Sequence, residues 1–500
     1  MERNYKNETY ENTDDIMENL KIKKILLVYP NSPTHYVVPP IGLGYLATAL
    51  RKNGFEVGIL DGIKEKLSLE KLEKRISEWK PDVVGIQVFS CDAHTVKEYV
   101  SKIREADKNI LVIVGGAHVS GVGKEVFDYF GGIHFAIAGE GETAFPMLLK
   151  ILGNKVSGYA EKQGFSCEIN GGEKDLEMVP GLIWKRGEHI IANAPKFEED
   201  LDALGFPAWD LMDPRTYPQA PQGAVFRNWP IAPILTSRGC PYRCTYCAGH
   251  LTTGYNIRFR SIEKVLEEIE MLYHDYGVRE IHIIDDNFTF KRERAIKFCN
   301  GILERGLNIS LTFPNGVRLD TLDEELLRLL KKAGCYSITL GIESGSQKIL
   351  NDMKKSLKLE TVEKKVALIN KVGIDIMAFF IVGYPTETRE TILETIEFAK
   401  RLKIKRAHFS TFLPLPNTEA SKMLLRDGVI KEINYDTLFY TKAPLPPKGM
   451  TSEELKALQR KAFFDFYMRP RIMAGMIREV RSPTHLKMLM RRAWDYAFGM

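Results

Sequence analysis

Thr236-Ser237-Arg238-Gly239-Cys240-Pro241-Tyr242-Arg243-Cys244-Thr245-Tyr246-Cys247 is the stretch on which the reading of this chain turns. An apolar run, Ile231-Ala232-Pro233-Ile234-Leu235, precedes it, so the cysteines sit on a loop leaving the end of a strand. The spacing Cys-x3-Cys-x2-Cys lets three thiols point into one small volume. Three thiolates bind three irons of a 4Fe–4S cluster and leave the fourth without a protein ligand, whereas ferredoxin-type sites supply four cysteines per cluster. An open iron suits catalysis rather than simple electron carriage. The alternatives are a zinc site taking His250 as a fourth ligand and three unrelated buried cysteines. The strand-to-loop setting favours the cluster, with Cys240, Cys244 and Cys247 as its ligands.

With aromatic Tyr246 just before the third cysteine, the stretch resembles the radical SAM superfamily. The resemblance implies that the amino and carboxylate groups of S-adenosylmethionine (SAM) chelate the open iron. One electron from the cluster then breaks the sulfonium bond and releases a 5′-deoxyadenosyl radical.

From the loop toward the C-terminus, apolar runs alternate with helical patterns six times. Strands are expected at 231–236, 280–284, 309–313, 336–342, 376–382 and 408–412, with helices such as 262–276 and 324–333 in the gaps. Six such units make a partial (β/α)6 TIM barrel with chemistry at the carboxyl ends of its strands. That is also the fold the resemblance implies, over roughly residues 231–430. The strand ends carry polar clusters. Asp285-Asp286-Asn287-Phe288 follows the second, where the superfamily has a Gly-Gly-Glu-like segment binding the methionine amino group; a helix N-cap or turn is the plain alternative. Asn315, Gly316 and Arg318 follow the third. The fourth ends in Gly341-Ile342-Glu343-Ser344-Gly345, where Glu343 matches a family residue that contacts the SAM ribose. The fifth runs into Gly383-Tyr384-Pro385-Thr386-Glu387-Thr388, the family's Gly-x-Pro-x-x-Thr segment near the adenine, and the sixth into Pro414-Leu415-Pro416-Asn417-Thr418. The resemblance thus assigns SAM to Tyr246, Asp285, Asp286, Asn287, Arg318, Glu343, Gly383, Tyr384 and Pro385. No general acid or base is singled out: Tyr384, His250, His408 and Asp286 are candidates, each better explained as structural or SAM-contacting.

Toward the N-terminus, strand, turn and helix also alternate. Apolar runs at 25–29, 57–61, 83–88, 110–114 and 135–138 read as strands, and 42–52 and 69–79 as helices. This is the pattern of an α/β, doubly wound parallel sheet, a Rossmann-like domain. Ligands of such sheets bind at the carboxyl ends of the strands. Three loops there are rich in small residues: Pro39-Pro40-Ile41-Gly42-Leu43-Gly44-Tyr45, Gly115-Gly116-Ala117-His118-Val119-Ser120 and Gly139-Glu140-Gly141-Glu142-Thr143. Glycines let a backbone approach a large ligand closely, and tight turns use them equally. Together the loops resemble the cobalamin-binding domain that precedes the catalytic domain in one large branch of radical SAM enzymes, over roughly residues 22–155. The resemblance assigns cobalamin to Ile41, Gly42, Leu43, Tyr45, Gln87, Ser90, Gly115, Gly116, His118, Gly139, Glu140, Gly141 and Glu142. Two departures stand out. The Asp-x-His-x-x-Gly motif that puts a histidine on cobalt elsewhere is absent after the first strand, although His35 lies nearby. Gln87 stands where many members carry serine. Base-off binding with no histidine on the lower cobalt face is therefore expected.

Five domains or segments result: a polar tail 1–21, the cobalamin-type domain 22–155, a connector 156–230, the barrel 231–430 and a helical C-terminal segment 431–500. The connector holds a small hairpin, Gly181-Leu182-Ile183-Trp184-Lys185-Arg186-Gly187-Glu188-His189-Ile190-Ile191, and no catalytic role. The last stretch interleaves Arg469, Arg471, Arg478, Arg481, Lys487, Arg491 and Arg492 with Met473, Met476, Ile477, Leu486, Met488, Leu489, Met490 and Trp494. Such a basic amphipathic segment can touch a lipid surface or an anionic substrate. A packed terminal helix with a solvated face is the reading preferred here.

Apolar content of 44% and charged content of 27% allow a sizeable core, and a net charge of +5 makes no case for nucleic acid. Three of the seven cysteines belong to the motif; Cys91, Cys167, Cys299 and Cys335 are scattered, which argues against a disulfide framework. The N-terminus has no apolar h-region and no run approaches the ~18–20 residues of a membrane span, so a cytoplasmic protein is expected.

The leading expectation from the resemblance is a cobalamin-dependent radical SAM enzyme. One SAM methylates reduced cobalamin, a second yields the radical, and the substrate radical takes a methyl group from methylcobalamin at an unactivated carbon. The anaerobic magnesium-protoporphyrin monomethyl ester cyclase family shares the layout without methyl transfer. A methylthiotransferase would need a second cysteine cluster, which Cys91 and Cys167 do not supply. A non-catalytic corrinoid- or metal-binding protein is the alternative from another class. Small-molecule, lipid, tetrapyrrole and peptide substrates all remain open, and a low-potential donor of flavodoxin or ferredoxin type is expected.

Overall fold

The computed structural model describes residues 22–32, 37–153, 173–219, 226–439, 442–480 and 483–498. The polar tail, His35 and Cys167 lie outside them. The chain divides into two units: Gly42–Glu199 with Met1–Ser32 and Leu204–Leu211, and Met212–Met500 with Pro33–Ile41 and Asp200–Ala203.

In the first unit, strands β1 (Lys24–Tyr29), β2 (Glu56–Asp61), β3 (Val83–Gln87), β4 (Leu111–Gly115) and β5 (Phe135–Ile137) pair in parallel in the order 2-1-3-4-5. Helices α1 (Ile41–Lys52), α2 (Leu69–Trp79), α3 (Ala93–Ala106) and α4 (Gly141–Leu152) connect them. The interiors of β1, β3 and β4 are wholly buried, which is why they read as continuous apolar runs. With this strand order, the winding reverses at β1 and β3, and a crevice for a ligand opens at their carboxyl ends. The hairpin expected in the connector, β6 (Leu182–Arg186) and β7 (His189–Ala192), is instead laid antiparallel along β5. Trp184 pairs in register with Phe135 and is fully buried, so the hairpin belongs to this unit's core and makes the sheet mixed at one edge.

In the second unit, β8 (Ile231–Ile234), β11 (Glu280–Ile283), β12 (Ser310–Val317), β13 (Cys335–Glu343), β14 (Asp375–Val382) and β15 (Arg406–Thr411) pair in parallel, each beside its predecessor. A short ladder of β9 (Ser237–Arg238) and β10 (Arg258–Phe259) lies between the first two. Helices α5 (Ile262–Asp275), α6 (Arg292–Glu304), α7 (Glu324–Lys332), α8 (Leu359–Val372) and α9 (Arg389–Arg401) return the chain. This is the six-unit open barrel wall expected from the sequence. Local chemistry sets the helix starts: Asp323 accepts from Leu326 N–H, and Thr388 forms a capping box with Thr391. Beyond the wall come α10 (Ser452–Tyr467), α11 (Pro470–Glu479) and α12 (Pro483–Phe498). α10 protects the outer edge of β15. Gln459 donates to the carbonyl of Phe409 (2.7 Å), and the Tyr467 hydroxyl both donates to Ala407 O (2.8 Å) and accepts from Ala407 N–H (3.2 Å).

Candidate active site

The cysteine loop is rooted before it begins. Asp285, at the end of β11, accepts from the N–H and hydroxyl of Thr236 and from the Ser237 hydroxyl, each at 2.6 Å. Arg294 donates to the Thr236 hydroxyl and carbonyl, both at 2.9 Å. Burial pushes the Asp285 carboxyl above its ordinary range despite these hydrogen bonds. Gly239 then turns the chain at φ +95°, where a Cβ would lie 2.2 Å from the Asn256 carbonyl oxygen; no other residue fits. Cys240 N–H donates to Gly254 O at 3.2 Å.

Thr245 is the loop's second anchor. Its N–H donates to Met353 O (3.1 Å), its carbonyl accepts from Ala420 N–H (2.9 Å), and its hydroxyl meets the Tyr384 hydroxyl at 2.8 Å. The loop is therefore held to segments that follow β13, β14 and β15. Cys240 and Cys244 are half-buried and Cys247 is exposed. Dense surroundings push the Cys240 thiol up, and that of Cys247 to about 11, so iron binding must displace protons. His250 stacks on Tyr255 (centroids 4.6 Å apart), with the Arg243 guanidinium also over that ring. Among the described residues, no three His, Cys, Asp or Glu side chains gather tightly enough for one mononuclear ion. A cubane does not ask for that, since each cysteine holds a different iron.

Next to the loop lies a buried ion pair. Lys355 Nζ is 2.8 Å from Glu343 Oε1 and 3.2 Å from the Tyr246 hydroxyl. Burial works against the charge on Lys355, but Glu343 and the Cys244 sulfur outweigh it and raise its pKa. Glu343 sits at φ +72°, at a register break between β13 and β14. A non-glycine residue there is strained, and the bulge re-aims its side chain. Arg318 lies 3.7 Å from the Tyr242 ring centroid and donates to the carbonyls of Lys355 and Ser356. Lys355→Met is expected to lower unfolding free energy by about 2 kcal/mol, because it leaves Glu343 buried without its cation. Adding Glu343→Gln should recover most of it in a calorimetric double-mutant cycle.

Asn287 is buried, and neither its amide nitrogen nor its oxygen has a hydrogen-bond partner. A native buried amide left so calls for a ligand or a water. Asp286 is held only loosely, 3.4 Å from Thr253 Oγ1. The sequence treated Asp285, Asp286 and Asn287 alike. The structure separates them, since both Asp285 oxygens are spent on the loop root.

In the fifth strand-end segment, Glu387 Oε2 accepts from the N–H groups of Gly383 (2.6 Å) and Tyr384 (3.0 Å), while Oε1 is buried without a partner. Burial raises the Glu387 pKa to about 8. An acid raised in the folded state binds more protons folded than unfolded between its ordinary value and about 8. Stability should therefore fall as pH rises through that window. Glu387→Gln is expected to flatten this part of the stability–pH profile, as read by urea titration at successive pH values.

Of the remaining acid–base candidates, Tyr384 is committed to Thr245 and Asp352 O, and His408 packs edge-on against Phe379.

In the first unit the expected cobalamin residues do collect at the carboxyl ends of the strands. Gly116 (φ +104°) brings its Cα so close that a Cβ would lie 3.0 Å from Val88 O, while a Cβ on Gly42 would meet nothing within 4 Å. Gly139 N–H donates to Ser120 Oγ at 2.9 Å, and Glu140 Oε2 accepts from Glu198 N–H at 2.8 Å. His118 differs from expectation. It is fully buried, with Nδ1 3.1 Å from Ser90 Oγ and its ring against Tyr129 and Phe130. Leu43 and Tyr45 likewise turn into the interior. Gly139 lies against Pro195 and Phe197 and Gly115 against the Ile137 carbonyl, which leaves Gly42, of these glycines, as the one that faces open space.

Residues 234–399 match the family model of the Radical SAM superfamily, and residues 32–149 that of the B12 binding domain. An uncharacterized methyltransferase of Pyrococcus horikoshii is 31% identical over 466 residues, which cover 91% of this chain and 94% of that protein. The chain belongs to the cobalamin-dependent radical SAM methyltransferase family. The cytidylyl-2-hydroxyethylphosphonate methyltransferase of Streptomyces wedmorensis is 29% identical over 90% of this chain and 91% of its own length. Among solved structures, the radical SAM methyltransferase TsrM of Kitasatospora setae, determined with cobalamin and a 4Fe–4S cluster, has a TM-score of 0.65 at 22% identity, over 87% of this chain and 85% of that one. It shares the fold. For this member of the cobalamin-dependent radical SAM methyltransferase family, sequence reading missed Lys355, Thr245 and Arg294. Arg294 reaches Thr236, 58 residues away, Thr245 meets Tyr384, 139 away, and Lys355 joins Tyr246, 109 away, to nearby Glu343, and no local pattern marks any of them.

Proposed function

We propose that this protein methylates an unactivated carbon of a small molecule by radical chemistry. The observation that carries the reading is the anchored loop Cys240, Cys244, Cys247 at the carboxyl ends of the barrel strands, in one chain with a cobalamin-type sheet. When bound, the 4Fe–4S cluster and SAM supply a hydrogen-abstracting 5′-deoxyadenosyl radical and cobalamin relays a methyl group. The three cysteines would hold the cluster, and Asp285, Arg294 and Thr245 keep their loop in place. Asn287 and Asp286 are the groups left to receive an amino group, and Lys355 holds Glu343 toward a ribose. Glu387 fixes the Gly383–Tyr384 backbone where an adenine would lie. Gly42, which faces open space, is where a corrin ring would approach the backbone, and Gly115, Gly116, Gly139 and Gly141 keep the neighbouring loops tight. The electron comes from a flavodoxin- or ferredoxin-type donor.

The test uses the full chain, reconstituted anaerobically with iron and sulfide and incubated with cobalamin, SAM and a strong reductant. Bound cluster, bound corrinoid and formation of both 5′-deoxyadenosine and S-adenosylhomocysteine are expected. Deoxyadenosine without corrinoid would leave a radical SAM enzyme and overturn the methyl relay. Stoichiometric zinc with no deoxyadenosine would overturn the catalytic reading.

A further inference from the structure

The two terminal helices bury few apolar groups among the described side chains. Among the described residues, Ile472 is the buried side chain of α11, and His485 and Leu489 are those of α12. Polar contacts do much of the holding: Glu479 pairs with Lys405 (3.3 Å) and Arg406, and Arg469 donates to Lys400 O (2.5 Å).

What these helices turn outward is apolar. Met473 and Ile477 on α11, and Leu486, Met490 and Trp494 on α12, are between 41% and 70% exposed. Their spacing of four residues makes each set a stripe along its helix. Beside each stripe, one residue further on, runs a basic shoulder: Arg478 after Ile477, Lys487 after Leu486 and Arg491 after Met490, all exposed. Steps of one residue turn a helix by about 100°, so stripe and shoulder share one solvent-facing arc. The acid of α11, Glu479, is turned inward to Lys405 and Arg406 and does not offset this charge. On α12 the same register continues past Trp494 to the acid Asp495, so its basic shoulder consists of Lys487 and Arg491.

We infer that α11 and α12 form a docking surface for an anionic lipid bilayer. Apolar side chains flanked by basic ones are what an interfacial helix presents: the stripe enters the acyl boundary and the cations meet lipid phosphates. Long Arg and Lys stems lie along apolar surface while their heads reach the phosphates, and an indole suits the interfacial layer. A nucleic acid would match the charge but leave the Met, Ile and Leu stripe in water.

Vesicle co-sedimentation of the full chain tests this, with phosphatidylcholine vesicles alone or containing about 30% phosphatidylglycerol. Binding to the anionic vesicles is expected, weakening as salt rises from about 0.1 M to about 0.5 M. Lys487→Gln and Arg491→Gln should each weaken it roughly five-fold. Ile477→Asn with Met490→Asn should weaken it at least about ten-fold, with far-UV dichroism unchanged because both positions are exposed. Absence of binding by the parent chain, or binding indifferent to all four substitutions, would overturn the inference. So would a concentration-dependent dimer in sedimentation velocity that Ile477→Asn with Met490→Asn abolishes while vesicle binding persists; the stripe would then belong to a second copy of the chain.

Discussion

Cys244→Ala is expected to abolish cluster retention and, with it, deoxyadenosine formation. With three thiolates, each of three irons has one protein ligand; with two, the cubane is held along one edge only and is lost to chelator or buffer. Iron and sulfide after anaerobic reconstitution should fall to background, and deoxyadenosine by on the order of a thousand-fold or more, equivalent to about 4 kcal/mol of barrier. The fold should survive. Cys244 is half-buried, and its removal frees no buried polar group, so unfolding free energy should change by less than about 1 kcal/mol. Cys299→Ala is the counter-test: it deletes a thiol from the core, remote from the motif, and should leave iron content unchanged while lowering stability. A Cys244→Ala protein that keeps its full iron and sulfide would remove the cluster assignment.

The second large effect is expected at Asp285→Ala. The substitution strips three hydrogen bonds, from Thr236 N–H and from the Thr236 and Ser237 hydroxyls, in a place without water access. It also removes the anion nearest Arg294. Breaking a buried charged network from one side costs about 3–5 kcal/mol, a large share of a typical domain's stability. Chemical denaturation of the apoprotein measures this directly. Asp285→Asn should cost less, since its amide oxygen still accepts. If Asp285 were instead a SAM contact, the apoprotein would keep its stability and only the KM for SAM would rise. That outcome would contradict the geometry.

This contrast marks what the residues alone could tell. The alternation of apolar runs gave the strands of both sheets to within a few residues, because buried parallel strands are apolar throughout and leave little room for misreading. The cysteine spacing was legible because its chemistry is local. The roles of Asp285, Asp286 and Asn287 were not. They are consecutive, and only the pairing of β8 with β11 decides which of them meets Thr236. Lys355 was invisible for a similar reason: its partner Tyr246 is 109 residues away, and the bulge that aims Glu343 depends on the neighbouring strand. The hairpin at 182–192 was recognised as a hairpin, but its destination on β5 rests on Trp184 finding Phe135.

The barrel wall is open: β8 and β15 are the two ends of its sheet and do not pair. Yet the peptide of Thr245 reaches across the top of that gap, accepting from Ala420 beyond the last strand while its own loop issues from the first. The cysteine loop is thus the clasp that joins the two free ends of the wall. Whatever tightens or slackens that seam is transmitted to the iron ligands, and whatever settles the ligands draws the seam shut. Loading the metal should therefore slow hydrogen exchange at Thr245 and Ala420 together. A cluster-free chain should be loosest along this seam, including at Ala420, which is far in sequence from the three cysteines.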